Sequence, residues 1–259
     1  MAPAITEIVF TLGRGGQLVG VTKFCDFPDE ALKIAKIGGL LDMNMEALLA
    51  LTPEVIIAYP EHYAKVKLLE SRVRVLVVKH KTLSDLFDSI IKIGGVLHAE
   101  KKAREMVLAM KNNLAAVAVE NRGKKKIRTL IVAGRNADEL KNMYIVGRSD
   151  FLNELLEIAG GMNAYQGAVD YPNISMETVI FLDPELILEV SAFYEGISDE
   201  IIFQLWRPFT MLQAVRNQRI TIIKKSFWLR PGSRIGLVAE ELADILSPAK
   251  KLEKSVSKN

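Results

Sequence analysis

Aromatic and charged side chains recur in five short segments, each placed directly after a run of aliphatic residues that reads as a strand. They are Phe24-Cys25-Asp26-Phe27, Tyr59-Pro60-Glu61-His62-Tyr63, Gly134-Arg135-Asn136, Ser191-Ala192-Phe193-Tyr194 and Lys224-Lys225-Ser226-Phe227-Trp228-Leu229-Arg230. The chain has 10 Phe, 6 Tyr and 2 Trp, and eight of these rings fall in those segments. In open parallel sheets, ligands sit outside the carboxyl ends of the strands. Rings gathered there supply flat apolar area at low entropic cost, which suits a large planar or macrocyclic ligand. Arg135 and Arg230 add guanidinium forks that match carboxylate or phosphate groups. Tyr59, Tyr63, Tyr194 and Trp228 carry polar handles beside charged residues and read as walls of a wet cleft. Phe24, Phe193 and Phe227 fit a core as well as a cleft.

Catalytic patterns are absent. Gly13-Arg14-Gly15-Gly16 has neither dinucleotide-binding nor phosphate-loop spacing and reads as a helix end, and no nucleophile elbow occurs. Glu61 and His62 are adjacent, so their side chains diverge and form no dyad. A single cysteine, Cys25, excludes an internal disulfide framework and a cysteine-rich metal site. His62, His80 and His98 are too few and too scattered for a histidine-built zinc site. The net charge is only +3, and the basic runs Lys124-Lys125-Lys126 and Lys250-Lys251 have no interleaved aromatic residues, which argues against nucleic acid. No run of 18 apolar residues crosses a membrane, and no signal peptide is visible at Met1-Ala2-Pro3-Ala4.

An internal echo organises the chain. Met45-Glu46-Ala47-Leu48-Leu49-Ala50-Leu51-Thr52-Pro53-Glu54-Val55-Ile56-Ile57 returns as Met176-Glu177-Thr178-Val179-Ile180-Phe181-Leu182-Asp183-Pro184-Glu185-Leu186-Ile187-Leu188, with six of thirteen positions identical. Each copy reads as a short helix, a proline that stops it, and a buried strand. Between the copies, Ala103, Met106, Val107, Met110, Leu114 and Val117 recur at helical steps and predict a long strut over 99–121. Strands are expected at 18–21, 55–58, 73–78, 128–133, 186–190 and 220–223. Helices are expected at 5–12, 46–51, 64–71, 83–93, 150–159, 177–182, 200–206 and 234–246. The alternation predicts an α/β fold of two Rossmann-like lobes with mainly parallel sheets, joined by one long α-helix. The expected division is an N-terminal lobe at 1–98, the connecting helix at 99–122, a C-terminal lobe at 123–248 and a basic tail at 249–259.

An ordered set of motifs then points to a family. It comprises Ala2-Pro3-Ala4-Ile5-Thr6-Glu7, Cys25-Asp26-Phe27-Pro28, Leu51-Thr52-Pro53-Glu54, Gly147-Arg148-Ser149-Asp150-Phe151-Leu152, Ala159-Gly160-Gly161-Met162-Asn163 and Trp228-Leu229-Arg230-Pro231-Gly232-Ser233-Arg234. Over residues 2–248 the chain resembles the helical-backbone, or class III, substrate-binding proteins of ABC importers that take vitamin B12 or iron siderophores. The resemblance implies a monomeric, extracytoplasmic binding protein with no intrinsic cofactor and no catalysis. It would hold a metal chelate between two lobes and deliver it to a permease dimer in the membrane. Tyr59, His62, Tyr63, Arg135, Tyr194, Phe227, Trp228 and Arg230, read from the segments that follow the strands, are the expected ligand-binding residues. One acid per lobe would dock the permease, with Glu61 in the N-terminal lobe and Glu195 or Glu200, with Asp199 competing, in the other. Cobalamin or another corrinoid is favoured, a ferric siderophore stands next, and haem or another metal complex third. A chelatase-like two-lobed enzyme is the alternative from another class. Members begin with an export signal and a first strand ahead of the Ala-Pro motif, whereas here Met1 directly precedes it, so both are expected to be missing from this chain.

Overall fold

The computed structural model describes residues 2–39, 42–192, 194 and 196–247. The expected basic tail at 249–259 lies outside them, as do Phe193 and Glu195. The chain is mixed α/β and divides into two compact units. Unit 1 comprises Met1–Asn112 with Arg230–Arg234, and unit 2 comprises Asn113–Leu229 with Ile235–Asn259. The boundary falls inside the long helix, and the Arg230–Arg234 segment belongs to the first unit, which no linear reading of the sequence indicates.

In unit 1, helix α1 (Pro3–Thr11) starts with proline in its first turn, where the missing N–H costs nothing. Every residue from Pro3 to Val9 is buried. Helix α2 (Met45–Ala50) is capped by Asn44, which accepts from the Ala47 amide at 2.9 Å. Strand β1 (Val55–Ala58), helix α3 (Pro60–Val66), strand β2 (Arg74–Val77) and helix α4 (Leu83–Val96) come next. The strands pair in parallel with Val55 opposite Arg74. Ile37, Leu48, Ile56, Ala58, Val66 and Leu69 form a core beneath them. The strand expected at 18–21 reduces to a bridge between Val21 and Lys36. Gly20 lies in this stretch, where a Cβ would crowd Leu51 and Ile37. The long helix α5 (Glu100–Glu120) buries Ala103, Val107, Met110, Leu114 and Val117, the predicted stripe except for the half-buried Met106.

Unit 2 is built on strand β3 (Ile127–Gly134). Strands β4 (Met143–Ile145), β5 (Gly161–Asn163), β6 (Asn173–Ile174), β7 (Leu186–Val190) and β8 (Ile220–Ile223) surround it. The order is β6-β4-β3-β7-β8, with β5 beside the first half of β3. The contacts β3–β7, β7–β8 and β3–β5 are parallel, while β4 pairs antiparallel with β3 and β6. Helices α6 (Phe151–Ile158), α7 (Met176–Leu182), α8 (Asp199–Trp206), α9 (Gln213–Arg216) and α10 (Ile235–Leu246) complete the unit.

The echo is structural as well as sequential. Strand β1 follows α2 as β7 follows α7, and the residue before each proline is left-handed, Thr52 at φ 43° and Asp183 at φ 39°. Such a conformation costs about 1–2 kcal/mol for a residue other than glycine. Asp183 is held there by two bonds, from the Gln213 amide at 2.8 Å and its side-chain nitrogen at 2.7 Å.

The Gly147–Asn163 motif stabilises unit 2. Asp150 caps α6 through the Leu152 amide at 2.8 Å and accepts from the Tyr171 hydroxyl at 2.7 Å. Asn163 donates to the Val146 carbonyl at 2.9 Å and to the Asn153 side chain at 3.1 Å.

Candidate functional site

Strand β1 ends at Ala58, so Tyr59 stands at its mouth and Pro60 opens α3 immediately afterwards. Tyr59 is buried, with its ring tilted against His80 at 3.9 Å between centroids and stacked on His62 at 6.1 Å. Burial, reinforced by the charges of Glu61 and Glu7, pushes its hydroxyl well above the ordinary tyrosine range. His62 is also buried, and its Nδ1 has no hydrogen-bond partner among the described residues. Burial lowers its pKa, so the ring stays neutral at physiological pH. Glu61 is exposed in the first turn of α3 and meets His80 Nε2 at 2.8 Å. His80 is not among the residues expected here. Its place three residues beyond the end of β2, at the same sheet end as Tyr59 beyond β1, is the signal that marks it. Tyr63 packs against the unit 1 core, and a hydrogen bond to Glu70 raises its hydroxyl pKa.

A second cluster in unit 1 is charged. Glu7 is buried on α1 and accepts from Arg234 at 2.9 and 2.6 Å, with Arg230 at 3.6 Å. Arg230 closes its fork on Asp26 at 2.5 and 3.0 Å. Phe24 and Phe27, which flank Cys25-Asp26 in the chain, are exposed, and the Arg234 guanidinium lies 4.2 Å over the Phe27 ring. A groove of about 390 Å³ runs along Phe27, Pro28, Asp29, Glu30 and Lys33. Cys25 is buried between the Thr6 and Thr22 hydroxyls, each 3.2 Å from Sγ, which is a packing role.

For Asp26, burial opposes ionisation, but the hydrogen bonds and charge of Arg230, with Arg234 behind it, outweigh that and hold the carboxyl below its usual value. A depressed carboxylate contributes stability above its unfolded pKa and loses it as pH falls through the folded one. Thermal melts of wild type and Asp26→Asn should therefore converge as pH drops from about 4 toward 2. A difference independent of pH would show that the fork carries no net charge interaction.

In unit 2, the mouths of β3, β7 and β8 gather the remaining candidates. Glu189 on β7 is fully buried, pairs with Arg135 Nη2 at 2.6 Å and accepts from Trp206 Nε1 at 2.6 Å. Arg135 also donates to the carbonyls of Asn136, Ala137 and Glu139. Its guanidinium lies 5.3 Å from the Tyr194 ring. Burial, with the charge of Glu189, pushes the Tyr194 hydroxyl up to about 12. Ser191 is buried with no partner for its hydroxyl among the described residues.

These positions correct three expectations about exposure. Trp228 is not a wet wall: it is fully buried, and its Nε1 donates to Glu241 at 2.8 Å, with Lys225 on the other carboxylate oxygen at 2.7 Å. Arg135 is not a free fork, because its side chain is fully buried and committed to Glu189 and three carbonyls. Arg230 is already occupied by Asp26. A buried guanidinium without a counterion would be prohibitively costly, so the fold supplies one in each case. Phe227 is half-buried, 6.0 Å from Lys225 Nζ. Glu200 is exposed in the first turn of α8 and accepts from Gln204 at 3.3 Å, whereas Asp199 pairs with Lys224 at 2.7 Å. Among the described residues no cluster of three metal-ligating side chains occurs, and no helix is long and apolar enough to cross a membrane.

Comparisons with known proteins agree over nearly the whole length. The profile of a family described as periplasmic binding protein matches residues 1–226. The chain is 26% identical over 264 residues to the ABC transporter substrate-binding lipoprotein YvrC of Bacillus subtilis, covering 96% of this chain and 79% of that one. It is 26% identical over 251 residues to a vitamin B12-binding protein of Salmonella typhimurium, covering 95% and 88%. Among solved structures, the periplasmic vitamin B12-binding protein of Vibrio cholerae superposes with a TM-score of 0.81 at 24% identity, covering 97% and 96%. The periplasmic haem-binding protein HutB of the same organism reaches 0.82 at 21% identity, covering 95% and 96%, and both likenesses are of fold alone.

Proposed function

The chain belongs to the periplasmic binding protein family, and from that premise we propose that it captures a corrinoid outside the cytoplasm and hands it to an ABC importer permease. It is a binding protein and not an enzyme, as its relatives are. The observation that carries the corrinoid over haem is the state of the three candidate tyrosines. Ligation of haem iron by tyrosine needs an accessible phenolate. Tyr59 is buried against His62 and His80, Tyr63 packs on the unit 1 core and Tyr194 on the unit 2 core, and burial raises the hydroxyl pKa of Tyr59 and Tyr194. A corrinoid brings its cobalt already held in a macrocycle and asks for apolar ring contacts rather than a phenolate, and unit 1 offers the exposed rings of Phe24 and Phe27. Vitamin B12 is also what the Salmonella and Vibrio relatives are named for.

For docking, Glu61 and Glu200 hold equivalent places. Each is exposed in the first turn of the helix that follows the echo strand, α3 after β1 and α8 after β7. A carboxylate there is stabilised by the helix dipole, and a basic partner would take the place of His80 at Glu61 and of Gln204 at Glu200.

Calorimetric titration with cyanocobalamin, a ferric catecholate and haemin tests the reading. Saturable one-to-one binding of cyanocobalamin, at least tenfold tighter than haemin, is expected. Tighter binding of haemin with the visible spectrum of tyrosinate-ligated iron would replace the corrinoid by haem.

A further inference from the structure

Four charged groups in unit 1 form a chain that ends at the surface. Glu7 is buried and satisfied by Arg234 on both oxygens. Arg230, with a side chain only 12% exposed, lies 3.6 Å from Glu7 and gives its outward fork to Asp26, whose side chain is 52% exposed. The two acids and two bases balance, so the ensemble is neutral, and its most exposed charged member is a carboxylate seated as an arginine-binding ligand group would sit. The exposed rings of Phe24 and Phe27 adjoin it in the chain and offer apolar faces to whatever approaches the fork.

We propose that Asp26 sets the charge class of the ligand, acting as a built-in counterion that occupies the Arg230 fork and directs the site to chelates without net negative charge. The inference rests on reading the chain as a chelate-binding protein. An anionic chelate reaching Arg230 must displace Asp26 and then face its charge a few ångströms away. A neutral chelate resting on the adjacent rings leaves the fork undisturbed. Glu7 lies 3.6 Å from Arg230 but is shared with Arg234, so its single charge cannot balance both guanidiniums. Loss of the Asp26 charge therefore leaves one positive charge at an outward-facing guanidinium, which is a site for carboxylate, catecholate or phosphate groups.

Asp26→Asn keeps the side chain's size and an oxygen for Arg230 while removing the charge. Wild type, Asp26→Asn and Asp26→Asn/Arg230→Gln are titrated calorimetrically with cyanocobalamin, which has no net charge, and with a trianionic ferric tricatecholate. Circular dichroism confirms that the variants are folded. Asp26→Asn should bind the tricatecholate at least tenfold more tightly than wild type does, with cyanocobalamin changed less than threefold. The second substitution should abolish the gain. If Asp26→Asn gains nothing for the anion, or gains equally for both probes, the assignment is overturned, whatever the wild type binds. If the wild type ignores cyanocobalamin while Asp26→Asn gains the anion, the role of Asp26 stands and the corrinoid reading falls. A gain that survives loss of Arg230 also overturns the assignment, because the anion would then be held elsewhere.

Discussion

Glu189→Ala is expected to lower the stability of unit 2 by about 3–5 kcal/mol, the usual cost of removing one partner from a buried ion pair. Both side chains of the Glu189–Arg135 pair are fully buried, so the orphaned guanidinium has no water to turn to. Two further losses add to this. The Trp206 indole N–H, 2.6 Å from Glu189, loses its acceptor, and an unsatisfied buried donor costs about 1–3 kcal/mol. Arg135 also holds the 136–139 turn through three carbonyls, and without its anchor that turn loosens.

Glu189→Gln should be milder, because burial pushes the Glu189 carboxyl above its ordinary value in spite of Arg135 and Trp206. A folded pKa above the unfolded one means the native state binds the extra proton. The contribution is then greatest below the unfolded pKa and declines as pH rises through the folded one. Wild type should therefore lose stability relative to Glu189→Gln as pH rises through the carboxylate range. Urea titrations of the three proteins, repeated at several pH values, read both effects. A loss below about 1 kcal/mol for Glu189→Ala, the scale of an exposed pair, would mean that the pair is solvated.

The fate of this pair shows what is legible in the sequence. Periodicity places β1, β7 and β8 residue for residue and the long helix to within one residue at each end, because long apolar patterns and proline stops carry their own signal. Strands β4, β5 and β6 have only two or three residues and take their form from β3 and from each other, so nothing local announces them. At the candidate site, the loops are legible but the direction of the side chains is not. Arg135 turns inward because Glu189 waits 54 residues away, and Trp228 because Glu241 lies beyond the next turn. Tertiary partners at such separations leave no trace in local spacing. The same holds for Arg230–Arg234, whose assignment to unit 1 depends on Glu7 and Asp26 more than 200 residues earlier.

That long-range attachment makes Glu7→Ala the second large effect, about 3–5 kcal/mol on the same buried-pair scale. Glu7 is 2% exposed and accepts from Arg234 through both oxygens, at 2.6 and 2.9 Å. The bidentate geometry makes it the strongest class of charge-assisted bond. Its removal leaves Arg234 without those two acceptors and leaves Arg230 leaning on the exposed Asp26 alone. The Arg230–Arg234 segment should then detach from α1 more often. Trypsin reads this directly: cleavage after Arg234 should accelerate at least tenfold, while Arg230 stays resistant because Pro231 follows it. A double-mutant cycle with Arg234→Ala separates the pair from mere loss of packing. If the pair is the anchor, the double variant should lose less than the sum of the single losses, by about 1–3 kcal/mol. Additive losses with unchanged proteolysis would instead make the Arg230–Arg234 attachment a matter of packing by α1, with the ion pair incidental to it.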